Sequence, residues 1–224
     1  MSQIPASILS KMDMYEIELH GSKLKVSVVD QKSAVLGAKI DELKSSLRTL
    51  PRPVVGMDIK YVPNHRPSHS SAKLLILYAG TRCLIIQLCY SGKYAEFLNS
   101  FLANETICFV GTGMRNMVDV LKLYAGNWLG GAELRHLAAR ILKEPNIEMH
   151  GLQDLAGLVA VDIKQPIGQC PNWNATVFSH EEIKYAVHDA HTYYVIGNKF
   201  LDMLYYNSLI ILVSCCLWVQ LYVI

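Results

Sequence analysis

An α/β domain built on a mixed sheet is the fold class this sequence predicts, and three observations predict it. Short apolar runs of β-formers follow one another at 54–60, 74–78 and 83–89, before any long helix of the second half. From residue 93 the rhythm changes to helix, strand, helix, which is the alternation of α/β architectures. Hydrophobic residues make up 51% of the 224-residue chain, enough to bury a full core in one domain with extensions.

Composition excludes several classes. Lys plus Arg exceed Asp plus Glu by only two, 21 against 19, so net charge by itself does not mark a nucleic-acid binder. The six cysteines (Cys83, Cys89, Cys108, Cys170, Cys215, Cys216) show no C-x-x-C spacing. They read as reduced core or tail residues of an intracellular protein, neither zinc ligands nor a disulfide framework. Residues 1–14 mix Lys11 and Asp13 into a weakly apolar stretch without a signal-peptide core, which disfavours secretion and places the chain in the nucleus or cytoplasm.

Taken in order, residues 1–13 form a short leader. Tyr15, Ile17 and Leu19 then alternate with Glu16, Glu18 and His20, Gly21 and Ser22 supply a turn, and 23–28 alternate again. This is an N-terminal β-hairpin with one wet face. Residues 33–48 carry Val35, Ala38, Ile40, Leu43 and Leu47 at helical spacing, and Pro51 and Pro53 stop that helix. The run 54–60 reads as a buried central strand, and 62–71, with Pro63, His65, Arg66, Pro67 and His69, as a solvated connector. The runs 74–78 and 83–89 flank a Gly80-containing turn, a second hairpin that extends the sheet. Helix, strand and helix follow at 93–103, 106–110 and 114–124, the last two joined by Gly111-Thr112-Gly113. That G-x-G lacks the third glycine of a dinucleotide site. Helical spacing returns at 132–142 and 152–159, and Ser179 with Glu181 and Glu182 reads as the capped start of a helix over 183–204. The tail 205–224 is different in kind. No charge occurs from Asn207 to Ile224, with Tyr205, Tyr206 and Tyr222 at its edges. This is either a C-terminal membrane anchor at the lower limit of length or an apolar segment packing on the domain or a partner.

Two stretches carry chemistry. The central strand places Asp58 and position 60 on one face, about 6 to 7 Å apart along the chain. A second acid there would make half a metal site, but the residue is Lys60. On the last helix, Tyr185 and Asp189 are four apart and share a face. Together, Asp58, Tyr185 and Asp189 would bring two carboxylates and a phenol into one site.

These residues resemble the DEDDy branch of the DnaQ-like 3'–5' exonucleases, in particular the Werner-type domains of plants. The resemblance spans Tyr15 to Leu204, so the domain is read as 14–204. Its carriers are Val55 to Ile59, Arg82 to Leu88, Phe109 to Met114, Leu134 to Ala138, Gly151 to Leu155, Trp173 and Tyr185 to Asp189. It implies a ribonuclease-H-like fold, a mixed five-stranded sheet flanked by helices, here with the N-terminal hairpin added. It also implies hydrolysis at nucleic-acid 3' ends, single-stranded or recessed, by two cations, Mg or Mn, held by four carboxylates. Such hard ions take oxygen ligands.

Carried over by position, Asp58 stands at the first acid and Asp189 at the last, both metal and catalytic positions, and Tyr185 stands at the water-positioning tyrosine. Lys60 stands where the family has glutamate, and Met117 where its V-G-x-G-x-x-x-D motif has aspartate. Asp119 is about 200° round the helix from Met117 and Asn116 about 100°, so neither replaces it. His188, one residue off the site face, is expected to be exposed. The family's acids supply about −4 to two divalent ions, whereas Asp58, Asp189 and Lys60 sum to about −1. Lys60 either stands in for a cation beside Asp58 or swings to solvent.

The expectation is a 3'–5' exonuclease-like domain that binds nucleic acid or a protein partner, with weak or absent metal binding and weak or absent hydrolysis. Two alternatives stand beside it. One is an active exonuclease using one metal or manganese through Asp58, Asp189 and Tyr185. The other is a non-catalytic or membrane-tethered scaffold.

Overall fold

The computed structural model describes residues 12–31, 34–62, 71–89, 96–126, 128, 130–164, 169–175 and 177–221, the side chains of 12, 13 and 206–221 excepted. Strands β1 (Met12–Leu19) and β2 (Ser22–Asp30) form the first hairpin, and helix α1 (Leu36–Leu47) follows. Next come β3 (Val54–Val62), β4 (Ser71–Ala79), β5 (Arg82–Gln87), α2 (Glu96–Leu102), β6 (Cys108–Gly111) and α3 (Met114–Ala125). The chain continues through β7 (Ala132–Glu133), α4 (Leu134–Leu142), a 3-10 turn (Pro145–Met149), α5 (Leu152–Leu158) and the long α6 (His180–Leu221).

The strands make one mixed sheet in the order β1-β2-β5-β4-β3-β6-β7. β3 to β7 make up the five-stranded sheet that the resemblance implied, and the hairpin continues it because β2 runs parallel to β5. Only β7 went unread in the sequence. It is two residues long and runs straight into α4, so it leaves no period-2 signal.

β3 sits between an antiparallel neighbour, β4, and a parallel one, β6. Both of its faces are covered, and strands of that kind read as continuous apolar runs. Val55, Met57 and Ile59 point into a core shared with α1, α2 and α3. The opposite face receives α6, whose Ile183, Ala186, Val187 and Ala190 pack with Ile76 and Tyr78. Gly56 is what lets the helix come so close, for a Cβ there would stand 2.0 Å from the Ala190 carbonyl oxygen. The helix start is fixed by a capping box. Ser179 Oγ accepts from the Glu182 amide, and Glu182 Oε2 accepts from the Ser179 amide. Arg52 Nη1 to Asp202 Oδ1, 2.6 Å, ties the helix to the chain entering β3.

Of the leader, residues 12 and 13 already belong to β1, while 1–11 lie outside the described residues. So do 63–70, most of the connector after β3. Among the described residues no helix is long and apolar enough to cross a membrane. The anchor expected in 205–224 falls chiefly on residues whose side chains are not described.

Candidate functional site

The site is built where the far half of β3 meets α6. Alternation along β3 puts Asp58 and Lys60 on the face that receives the helix, and Asp189 comes down from α6 opposite them. Lys60 Nζ lies 2.7 Å from Asp58 Oδ2 and 2.6 Å from Asp189 Oδ2. The Lys60 and Asp58 side chains are each 11% exposed and Asp189 33%. Lys60 therefore does not swing to solvent. Its ammonium bridges the two carboxylates in a largely water-free seam, the place where a cation between those acids would sit.

The charges of the triad are unevenly supported. Burial pushes the Asp58 carboxyl above its usual range, against the opposing pull of Lys60. Asp189 is held down to about 2, because a hydrogen bond with His188 and the Lys60 charge outweigh its own burial. Burial alone would lower Lys60, but Asp58 and Asp189 carry it above the ordinary lysine value. Lys60 is therefore protonated at any physiological pH, and with both carboxyls ionised the triad carries a net charge of about −1. Lys60 donates a hydrogen bond to Asp189, whereas Asp58 Oδ2 is buried and only ion-paired with it; two carboxylates sharing a fixed ammonium do not fit a pair of hard divalent ions, which take several oxygen ligands each.

Around the triad the structure places the remaining residues unequally. Tyr185 is half-buried, four residues before Asp189, with its ring against Trp173 at 6.0 Å between centroids. Met117 is 5% exposed and packs in the cluster that holds Val55, Met57 and Phe109. It contributes apolar volume where the carried-over motif has an acid. Asn116 and Asp119 are exposed, and Asp119 pairs with Lys122 at 3.3 Å, so neither compensates. Glu133 is engaged elsewhere, accepting from the Met114 amide at the start of α3 and from Arg135 Nε.

The expectation that His188 is exposed is wrong. It is 1% exposed, with Nδ1 3.0 Å from Asp189 Oδ1. The reason is that the first hairpin crosses α6 and covers the flank that a free helix would show to water. Two further residues were missed. Tyr193 continues the Tyr185–Asp189 stripe by one more turn, and its hydroxyl bonds Thr112 Oγ1 at 2.8 Å. Burial, then Asp58 and Asp189, hold its phenol well above the ordinary tyrosine value, so it is a neutral group beside the acids. The spacing 185, 189, 193 carried that signal. His191 had no such signal, since its partner His20 is far away in sequence.

Two groups here make stability depend on acid. The His191 imidazole is lowered to about 4 by burial and then by His20 and His188. A depressed pKa gives stability that is present above the unfolded value, about 6.5, and is lost as pH falls through the folded one. A gap of that size corresponds to about 3 kcal/mol lost between about pH 6.5 and about pH 4. Asp189 adds a second loss between about pH 3.9 and about pH 2 by the same sign. Denaturant midpoints against pH should show the upper loss in the parent chain and not in His191→Phe. An unchanged pH profile in that variant would remove His191 as its source.

A family model described as 3'-5' exonuclease matches residues 38–205. Among solved structures, Brucella melitensis NrnC bound to pGG aligns over 72% of this chain and 78% of its own, at 19% identity and a TM-score of 0.55. The same protein with bound Mg2+ aligns over the same shares at 17% identity and a TM-score of 0.55. A structure described as the apo form of the nuclease covers 85% of this chain and 87% of its own, at 18% identity and a TM-score of 0.59. At these identities the likeness is one of fold. Against curated proteins no match was found.

Proposed function

Because this chain belongs to the 3'–5' exonuclease family, we propose that it keeps the family's nucleic-acid-binding role and has lost most or all of its hydrolytic one. In this reading the domain engages single-stranded or recessed 3' ends, and Lys60 is a permanent substitute for a bound cation. One observation carries it: the Lys60 ammonium contacts both Asp58 and Asp189, at 2.7 and 2.6 Å. The burial of Met117 in apolar surroundings supports it, because a thioether there offers magnesium or manganese no oxygen. What this chain's own residues do is then limited. Lys60 neutralises half of the negative charge that would otherwise repel a phosphodiester, and Asp189 and His188 hold each other in place. Tyr193 keeps a neutral phenol beside the acids, and Tyr185 lies one turn before Asp189 on α6.

The test pairs binding with hydrolysis. The full chain should bind single-stranded and recessed-end oligonucleotides with an affinity that falls steeply with salt, since phosphate contacts release counterions. Incubated with Mg2+ or Mn2+, it should release nucleotides at background rate, while the double variant Lys60→Glu, Met117→Asp gains 3'–5' hydrolysis. Parent-level hydrolysis equal to the double variant's would sink the reading and favour an active enzyme using Asp58, Asp189 and Tyr185. Absence of any binding to nucleic acid would favour the scaffold.

A further inference from the structure

The sheet has an open edge at β1. Strand order places Met12–Leu19 at one end of the sheet, and among the described residues no strand pairs with its outer side. The two-residue turn of His20 and Gly21, with φ of 48° and 75°, closes the hairpin so that Leu19 and Ser22 form a hydrogen-bonded pair. Every second residue back from there, Ile17 and Tyr15, turns its backbone groups toward β2. Glu18, Glu16 and Met14 therefore aim their N–H and C=O groups away from the sheet. The Lys25 amide, which donates to the Thr81 carbonyl oxygen at 2.9 Å on the far side of β2, has the same phase.

An edge of this kind is usually blunted by a proline, a bulge or an early end. β1 has none of these: its pairing with β2 runs without a register shift from Met12–Val29 to Leu19–Ser22, and the strand contains no proline. Its two faces differ in chemistry. Met14, Glu16 and Glu18 are exposed, and Glu16 stands opposite Lys25 and Glu18 opposite Lys23. The sign of charge thus alternates from β2 to β1 across the wet face, where these four side chains and Thr81 border a groove. On the other face Tyr15 and Ile17 are buried with Phe178 and the start of α6. There Tyr15 Oη donates to the Phe178 carbonyl oxygen at 2.8 Å, and the adjoining Val177 is 68% exposed.

From this geometry we propose that the outer edge of β1 takes an extended segment of a partner protein as an added strand, one whose lysine or arginine side chains alternate with apolar ones. The basic residues fall on the wet face beside Glu16 and Glu18, where opposite charges directly across a sheet attract. The apolar residues fall on the α6 face, next to Val177. Main-chain hydrogen bonds supply the affinity and the alternation supplies the specificity. Charge decides against a second copy of this chain, because two β1 edges side by side would gather Glu16 and Glu18 of both copies on one face. The edge is separated from β3 by β2, β5 and β4, so the proposal does not depend on the nucleic-acid reading.

The probe is a fluorescein-labelled hexapeptide of alternating lysine and valine, titrated with the full chain and followed by fluorescence polarisation. Saturable binding is expected, about tenfold weaker for the glutamate–valine counterpart and about tenfold weaker for the variant Glu16→Gln, Glu18→Gln. Backbone N-methylation separates strand addition from charge attraction, since it removes donors and keeps the charge. Only every second N–H of an added strand faces β1, so methylating either the lysine residues or the valine residues should abolish binding in one peptide and spare it in the other. Equal binding of the two methylated peptides, equal binding of the lysine and glutamate peptides, or no binding at millimolar peptide overturns the proposal. On the protein side, Met14→Pro removes an outward N–H at a position where an edge strand accepts proline and leaves both acids in place, so it should weaken the lysine peptide about tenfold. The methylated pair is read on the parent chain and decides the matter even where Met14→Pro fails to fold.

Discussion

Replacing Lys60 with alanine destabilises the domain by about 3–5 kcal/mol near neutral pH, the usual cost of stripping the partner from a buried charge. The magnitude follows from the seam: Asp58 is 8% exposed and shares the Lys60 ammonium with Asp189, so alanine leaves two carboxylates facing each other with little water. Asp58 must then take up a proton. Its carboxyl already lies above the usual range, and without the ammonium it rises further. A folded-state pKa raised above the unfolded one means stability grows as pH falls, so the variant's deficit against the parent should shrink as pH falls toward the ordinary carboxylate range.

The same variant should respond to metal where the parent does not. With the ammonium gone, a divalent ion can neutralise both acids without protonation of Asp58, and saturation at 100 times its Kd would return about 2.7 kcal/mol. Thermal melts of Lys60→Ala with and without Mn2+ measure this directly, with Lys60→Ala, Asp58→Asn as the control that removes the response. A variant as stable as the parent, indifferent to pH and manganese, would show that Lys60 does not hold these acids together.

How much of this was legible in the sequence depends on which physical signal each part uses. Every strand from β1 to β6 was readable, because alternation or an apolar run bounded by turn residues marks it locally. The triad was half legible. The period of a strand put Asp58 and Lys60 on one face, and the period of a helix put Tyr185 over Asp189. That Asp189 meets Lys60 from the other side is a tertiary fact that spacing does not contain, and it was reached through family resemblance. His188 was misread because local periodicity sees one helix and not the hairpin that crosses it. The contact of His191 with His20 was illegible for the same reason, since the two rings, 5.4 Å apart, meet only when the hairpin turn lies against α6.

Among the described glycines, Gly56→Ala should be the most disruptive single-methyl change, at about 4 kcal/mol or more. The added Cβ would lie 2.0 Å from the Ala190 carbonyl oxygen and 2.9 Å from the Tyr194 amide nitrogen. Both are helix backbone atoms that no rotamer change can move. β3 cannot retreat either, since β4 and β6 hold it on both sides, so α6 must shift. Asp189 precedes Ala190, and Asp58 is two residues beyond Gly56, so that shift opens the 2.6 Å contact between Lys60 and Asp189. Loss of stability and loss of the triad are therefore one event. Gly157→Ala supplies the contrast: it sits exposed in α5 with nothing within 4 Å of the new Cβ. There the same methyl group should stabilise by about 0.4–1 kcal/mol through a less flexible unfolded chain. Equilibrium denaturation of the two variants should give changes of opposite sign. Comparable effects at both sites would mean that α6 does not pack on β3 through Gly56, and the placement of Asp189 over Lys60 would fall with it.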